Sequence, residues 1–277
     1  MAQPKVIFFG NGMLADAVLK ILQPKCNIIF HARTKEDLAT VKEIKVKNPD
    51  AHGILASFGV MIKEDVLELF EPEGIINIHP SKLPDLRGPS PIESAMLRGD
   101  KQFFVSIMKL VKAMDAGPLY CQLCSKAALL DPSVATPEDK PTIYENLATL
   151  GANWIVENLD QLPNPVIQNE EGVTFCQKLD KSMSMLTPET KTAVELLREI
   201  SAFAGFPKSK YVFSGHECII HAAHILDSDK STTSLKNEDS LPIKCFDDSI
   251  LYVDYLQPAG KKMMDAKSFK NGYMKDR

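Results

Sequence analysis

The sequence predicts an α/β protein: a mostly parallel sheet with helices on both faces, followed by a smaller all-β domain at the C-terminus. Three observations carry this expectation. Short apolar runs alternate with segments of helical spacing from Val6 to Leu110. A stretch with two prolines and many polar residues, 161–172, then interrupts the pattern. Beyond it, one helix is followed by a series of short β-type runs.

Val6–Phe9 is an apolar strand closed by Gly10, and Met13–Leu22 follows with apolar residues at 14, 17, 18, 21 and 22, the spacing of a one-faced helix. Ile28–Phe30 makes a second strand, Glu36–Lys47 a polar helix, and Gly53–Ser57 a third strand. Lys63–Phe70 is helical, Gly74–Ile78 is the fourth strand, and Val105–Leu110 alternates as a fifth. Strands alternating with helices give a Rossmann-like sheet, in which working groups belong just beyond the carboxyl ends of the strands. Thr142-Ile143-Tyr144-Glu145 reads as a capping box opening a helix with an apolar stripe at 143, 147, 150, 154 and 155. The expected organisation is a domain at 1–160, a linker at 161–172 and a second domain at 173–277. In the latter, Thr187-Pro188 opens a helix reaching Phe203. Strands are expected at Tyr211–Phe213, Cys218–His221, Ile243–Phe246 and Ile250–Leu256, with a polar loop at Asp227–Ser240.

Composition excludes several classes. With 44% apolar and 25% charged residues over 277 positions, the chain has the make-up of an ordinary soluble protein. Val6–Phe9 is too short for a secretory core, and no apolar run reaches a membrane span, so a cytoplasmic protein without a membrane partner is expected. The six cysteines are scattered through apolar stretches and read as reduced thiols. Cys121 and Cys124 form a lone C-x-x-C without a second ligand pair, so no metal is expected. A net charge of −4 gives no global attraction for nucleic acid. Locally, Lys261, Lys262, Lys267, Lys270, Lys275 and Arg277 crowd the tail, either as a solvated end or as a phosphate contact.

Gly10-Asn11-Gly12-Met13-Leu14-Ala15 fits G-x-G-x-x-A between a strand and a helix, a dinucleotide fingerprint on paper. The acid expected about 20 residues on is replaced by His31, Ala32 and Arg33. Arg33 suits a 2′-phosphate, which makes an NADP-dependent oxidoreductase a competing reading; a tight turn between first strand and helix is the plainer one.

The chemistry concentrates on Asn77, His79 and Asp115. Asn77 and His79 are two apart at the end of an apolar run, so in a strand their side chains point the same way. A carboxamide beside an imidazole can hold a developing oxyanion, and a nearby carboxylate can orient the ring and accept a proton.

The pattern Asn77-x-His79-x-Ser81-x-Leu83-Pro84-x-x-x-Gly88, followed by Asp115-x-Gly117-Pro118, resembles the active-site signature of 10-formyltetrahydrofolate-dependent formyltransferases. Leu256–Met264 with Phe269, Asn271 and Gly272 is similar to the tail of the methionyl-tRNA formyltransferases within that family. So are Gln177-Lys178-Leu179 and Ala202–Pro207. The resemblance implies an OB-like barrel for the C-terminal domain and transfer of a formyl group from 10-formyltetrahydrofolate to initiator methionyl-tRNA; separately, a monomer is expected. It places Ser81, Lys82, Leu83, Pro84 and Gly117 on the folate, with Ser57, Phe58, Gly59 and Met61 about the pterin, and offers Arg87, Lys208, Lys210, Lys261 and Lys262 as tRNA contacts. Two departures stand out: Lys82 replaces a usual leucine, and the basic, glycine-rich stretch that grips the acceptor stem before the active site is absent. A formyltransferase for a small amine, such as an amino-sugar nucleotide, is therefore the alternative acceptor class.

Overall fold

The computed structural model describes residues 2–125, 133–226 and 239–274, which fall into two compact units. The first comprises residues 1–92, 102–127 and 141–178; the second comprises 93–101, 128–140 and 179–277. The chain runs β1 (Lys5–Phe9), α1 (Gly12–Leu22), β2 (Asn27–Ala32), α2 (Asp37–Lys47), β3 (His52–Leu55), α3 (Glu64–Leu67) and β4 (Ile75–His79). Then come α4 (Pro91–Arg98), β5 (Phe104–Lys109), β6 (Leu119–Cys124), β7 (Val134–Ala135) and α5 (Asp139–Asn158). No described helix is long and apolar enough to cross a membrane.

In the first unit six strands pair in the order β2-β1-β3-β4-β5-β6. The first three pairings are parallel, and β4–β5 and β5–β6 are antiparallel. The sheet is thus mixed at one edge, because β5 returns against β4 and β6 folds back on β5. Phe9 packs edge-on against Phe58 and Phe70, closing one face with Ile7, Val41, Leu55, Ile62 and Ile75. On α5, a Cβ at Gly151 would lie 2.9 Å from Ile78 Cγ2 on β4, so the missing side chain lets helix and sheet meet closely. Strand order reverses between β1 and β3, which leaves a crevice at their carboxyl ends.

Several expectations shift. Helix α5 starts at Asp139, which places Thr142 inside it; the start is organised by Asp139, whose carboxylate accepts from the Thr136 backbone N–H and hydroxyl. Residues 161–178, part of them expected as a linker, group with the first unit, where Val166 exchanges two backbone hydrogen bonds with Leu119. Strand β6 carries Cys121 and Cys124 as free thiols.

The second unit holds α6 (Ala193–Phe203), β8 (Lys210–Phe213), β9 (His216–His224), β10 (Leu241–Lys244), β11 (Ile250–Pro258), β12 (Met264–Asp265) and α7 (Ala266–Tyr273). Its antiparallel sheet follows the path β10-β11-β9-β7, with β8 on β9 and β12 on β11. The pairings among the described residues leave this sheet open. Its core joins Leu196, Leu197 and Ile200 of α6 to Ile220, Leu251, Val253 and Phe269. Most of the expected loop at Asp227–Ser240 lies outside the described residues, as do Lys275 and Arg277.

Helix α6 begins five residues beyond the expected Pro188, since Thr192 and Glu195 form a reciprocal capping box. The Thr192 backbone N–H and hydroxyl hold the Glu195 carboxyl below its usual range. Thr192→Ala is expected to lower stability by about 1 kcal/mol, read as a lower denaturant midpoint at unchanged slope. An unmoved midpoint would show that the box adds nothing.

Candidate active site

Loops after β1, β3 and β5, together with the end of β4, enclose a cavity of about 600 Å³ in the first unit. That volume lies in the range of small-molecule sites. Apolar atoms dominate its walls, including Met13, Phe58, Val60, Leu110 and Val111, and Asn77, His79 and Asp115 all border it. The three groups expected to work together do face one space.

Asn77 and His79 lie within β4 rather than beyond it, in register with Met108 and Ser106 of β5. Two-residue spacing on a strand sends both side chains to one face. Asn77 is almost wholly buried. Among the described residues no fully buried side-chain polar atom is without a partner, and none of the described hydrogen bonds uses the Asn77 carboxamide, so that group retains some exposure where it borders the cavity. Its amide therefore opens onto the cavity. His79 is equally buried; its Nε2 lies 3.0 Å from the Leu86 carbonyl, and its Nδ1 lies 3.6 Å from Asp115 Oδ1. A carbonyl only accepts, so Nε2 carries hydrogen and Nδ1 is the nitrogen turned towards Asp115.

Backbone geometry around these groups is strained. Ser57, Leu86 and Asp115 are the described non-glycine residues of the first unit at positive φ (52°, 58° and 47°). Such residues cost on the order of 1–3 kcal/mol each and persist where surrounding contacts enforce them. The Leu86 conformation aims its carbonyl at His79 while its N–H donates to Thr174 Oγ1. The Asp115 conformation sets its carboxylate within reach of His79 and of the Gly88 N–H, 2.8 Å from Oδ2.

Two glycines of the motif have steric reasons. A Cβ on Gly88, at φ 118°, would stand 2.9 Å from the Cys176 carbonyl oxygen. On Gly117 it would stand 1.8 Å from the Lys109 carbonyl oxygen, an impossible approach. Glycine at 117 lets the Asp115 loop lie flat against the end of β5.

The remaining expected site residues divide. Ser57, Phe58, Gly59 and Met61 line the cavity, with Phe58 also packed into the core and Met61 exposed. Ser81, Lys82, Leu83, Pro84 and Gly117 are not among its walls. The turn at 81–84 is held from within: Ser81 Oγ donates to the Asp85 carbonyl, Ser106 Oγ to the Ser81 carbonyl, and Gln122 to the Leu83 carbonyl. The Lys82 ammonium lies over the Phe104 ring. Arg87, expected at a tRNA surface, is 4% exposed, and its guanidinium is taken up by Gln168 and Glu170. In the second unit Lys208, Lys261 and Lys262 are exposed, whereas Lys210 pairs with Glu217. Sequence reading missed Leu86 and Gln168, whose roles depend on partners distant in the chain. It quoted Gly88 as part of a pattern without its N–H.

Residues 9–159 match the family described as formyl transferase, and residues 178–274 match the formyl transferase C-terminal domain. The methionyl-tRNA formyltransferase of Dechloromonas aromatica (strain RCB) is 31% identical over 268 residues, 95% of this chain and 83% of that protein. Among solved structures, HypX from Aquifex aeolicus in complex with tetrahydrofolic acid aligns with a TM-score of 0.68 at 16% identity, covering 99% of this chain and 48% of that longer one. The methionyl-tRNA formyltransferase from Clostridium thermocellum aligns with a TM-score of 0.64 at 18% identity, covering 95% of this chain and all (100%) of that one.

Proposed function

This chain belongs to the formyl transferase family, and on that premise we propose that it moves the formyl group of 10-formyltetrahydrofolate onto the α-amino group of initiator methionyl-tRNA. The observation that carries the reading is the meeting of Asn77, His79 and Asp115 at one cavity, with 3.6 Å between ring and carboxylate. The acceptor follows the relatives, which are methionyl-tRNA formyltransferases along most of this chain's length.

The neutral amine attacks the formyl carbon; a C–N bond forms as the carbonyl π pair moves to oxygen. The Asn77 amide donates to that oxyanion. His79 adds a second donor from Nδ1 when the ring is protonated, since Nε2 is engaged by Leu86. One such donor is typically worth roughly 3–4 kcal/mol of barrier. Asp115 accepts the ammonium proton, and collapse of the intermediate returns the carbonyl as the C–N10 bond breaks and that proton passes to the leaving tetrahydrofolate N10. Apolar walls from Phe58, Val60 and Leu110 suit a flat heterocycle. Lys208, Lys261 and Lys262 supply exposed cations for phosphate contact.

Parallel assays with 10-formyltetrahydrofolate against methionyl-tRNA and amino-sugar nucleotides test the acceptor. Formyl transfer to the tRNA is expected, with binding that weakens steeply as salt rises. Transfer confined to the sugar nucleotide, with binding indifferent to salt, would replace tRNA by a small amine.

A further inference from the structure

We infer that Gln168 is a positioning residue for Asp115, fixing the carboxylate through the main chain from a segment that reads as a linker. The inference rests on the formyl-transfer reading above. Gln168 is 5% exposed, and its Nε2 donates to the carbonyls of Asp115 and Gly117 at 2.8 and 2.7 Å. Its Oε1 accepts from Arg87 Nε and Nη2, at 3.3 and 2.8 Å. Arginine can only donate, so the amide has one orientation: oxygen to the guanidinium, nitrogen to the two carbonyls. Both amide hydrogens and the oxygen are thereby engaged.

Arg87 is itself fixed. Glu170 holds its guanidinium, and its backbone exchanges hydrogen bonds with Thr174 and Cys176. The next residue, Gly88, donates its N–H to Asp115 Oδ2. Main chain and carboxylate of Asp115 therefore hang from the same short stretch, the first through Gln168 and the second through Gly88. Aspartate tolerates the left-handed region better than most residues, but the conformation still carries a cost that surrounding contacts offset, and the Gln168 bonds to the Asp115 and Gly117 carbonyls are such contacts. Gln168 is not among the cavity's walls, so its effect passes through Asp115.

Gln168→Leu keeps the bulk and removes both donors together with the oxygen that accepts from Arg87. A misplacement of about 1 Å typically costs about a hundredfold in rate, so kcat should fall by about that factor while KM for donor and acceptor stays within about twofold. The deciding measurement is a double-mutant cycle with Asp115→Asn. Once the carboxylate is gone its placement no longer matters, and Gln168→Leu should then add less than about threefold. Additive losses, or a raised KM with intact kcat, would show packing or binding instead and overturn the inference. Should Gln168→Leu fail to fold, Arg87→Lys tests the same link, because lysine loses the planar fork that reaches Gln168. A kcat lowered by about tenfold, with unchanged tRNA KM and salt dependence, supports it; a raised tRNA KM with a shallower salt slope overturns it. A native chain that formylates none of the acceptors overturns the functional reading itself. An active native chain with additive variants overturns only the positioning role.

Discussion

A chain carrying Asp115→Asn should transfer formyl groups about a thousandfold more slowly than the native protein while binding the folate donor with unchanged affinity. The substitution keeps shape and an oxygen that can accept the Gly88 N–H, and removes only charge and basicity. A positioned general base typically contributes 10²–10⁴ in rate, and Asp115 is the carboxylate that faces both the cavity and His79. The loss should fall on kcat, because the proton moves only after the amine has begun its attack. Single-turnover transfer alongside donor titration separates the two effects. A variant turning over at the native rate would remove Asp115 as proton acceptor; weakened donor binding at native kcat would make it a binding residue.

Gly117→Ala should be nearly as damaging, although residue 117 contributes no side chain and does not line the cavity. The added Cβ would lie 1.8 Å from the Lys109 carbonyl oxygen and 3.1 Å from Met108 Cε. The thioether can swing aside, but the carbonyl belongs to β5, where the Lys109 N–H is already bonded to the Pro118 carbonyl. The loop must therefore lift away from the strand, and Asp115 lies two residues upstream. A rate loss of about a hundredfold is expected from the misplaced carboxylate, with a stability loss of about 1–3 kcal/mol from overpacking. Gly272→Ala is the matched control: nothing lies within 4 Å of its Cβ, so both rate and midpoint should hold. Equal effects of the two substitutions would show that the close approach at 117 is irrelevant.

Much of this site is readable without coordinates because its working groups come in short spacings. Asn77 and His79 share a face by strand alternation, and the apolar flanks of β1, β3 and β4 announce buried strands. Helix ends were less legible. Thr142-x-x-Glu145 and Thr192-x-x-Glu195 have the same letters, but only the second stands at a chain entry; the first is already inside a helix begun by Asp139. A capping pattern is a local option, and packing chooses which is used.

Arg87 shows the other limit. In isolation an arginine in a polar loop is a surface cation, and its burial depends on Gln168 and Glu170, more than 80 positions away. The mixed sheet edge has the same origin, since alternation marks β5 as a strand without giving its direction.

The letters alone determined that strands and helices alternate, that a carboxamide and an imidazole share one side of a strand, and that a formyl-transfer pattern surrounds them. Burial of one face repeats over a few residues, so it is written locally. Only the tertiary structure decided that Leu86 turns its carbonyl on the imidazole, that Arg87 is buried, and that Gln168 grips the Asp115 loop. A hydrogen bond between groups 53 or 81 positions apart leaves no periodic mark, because it exists only once the chain has closed those loops.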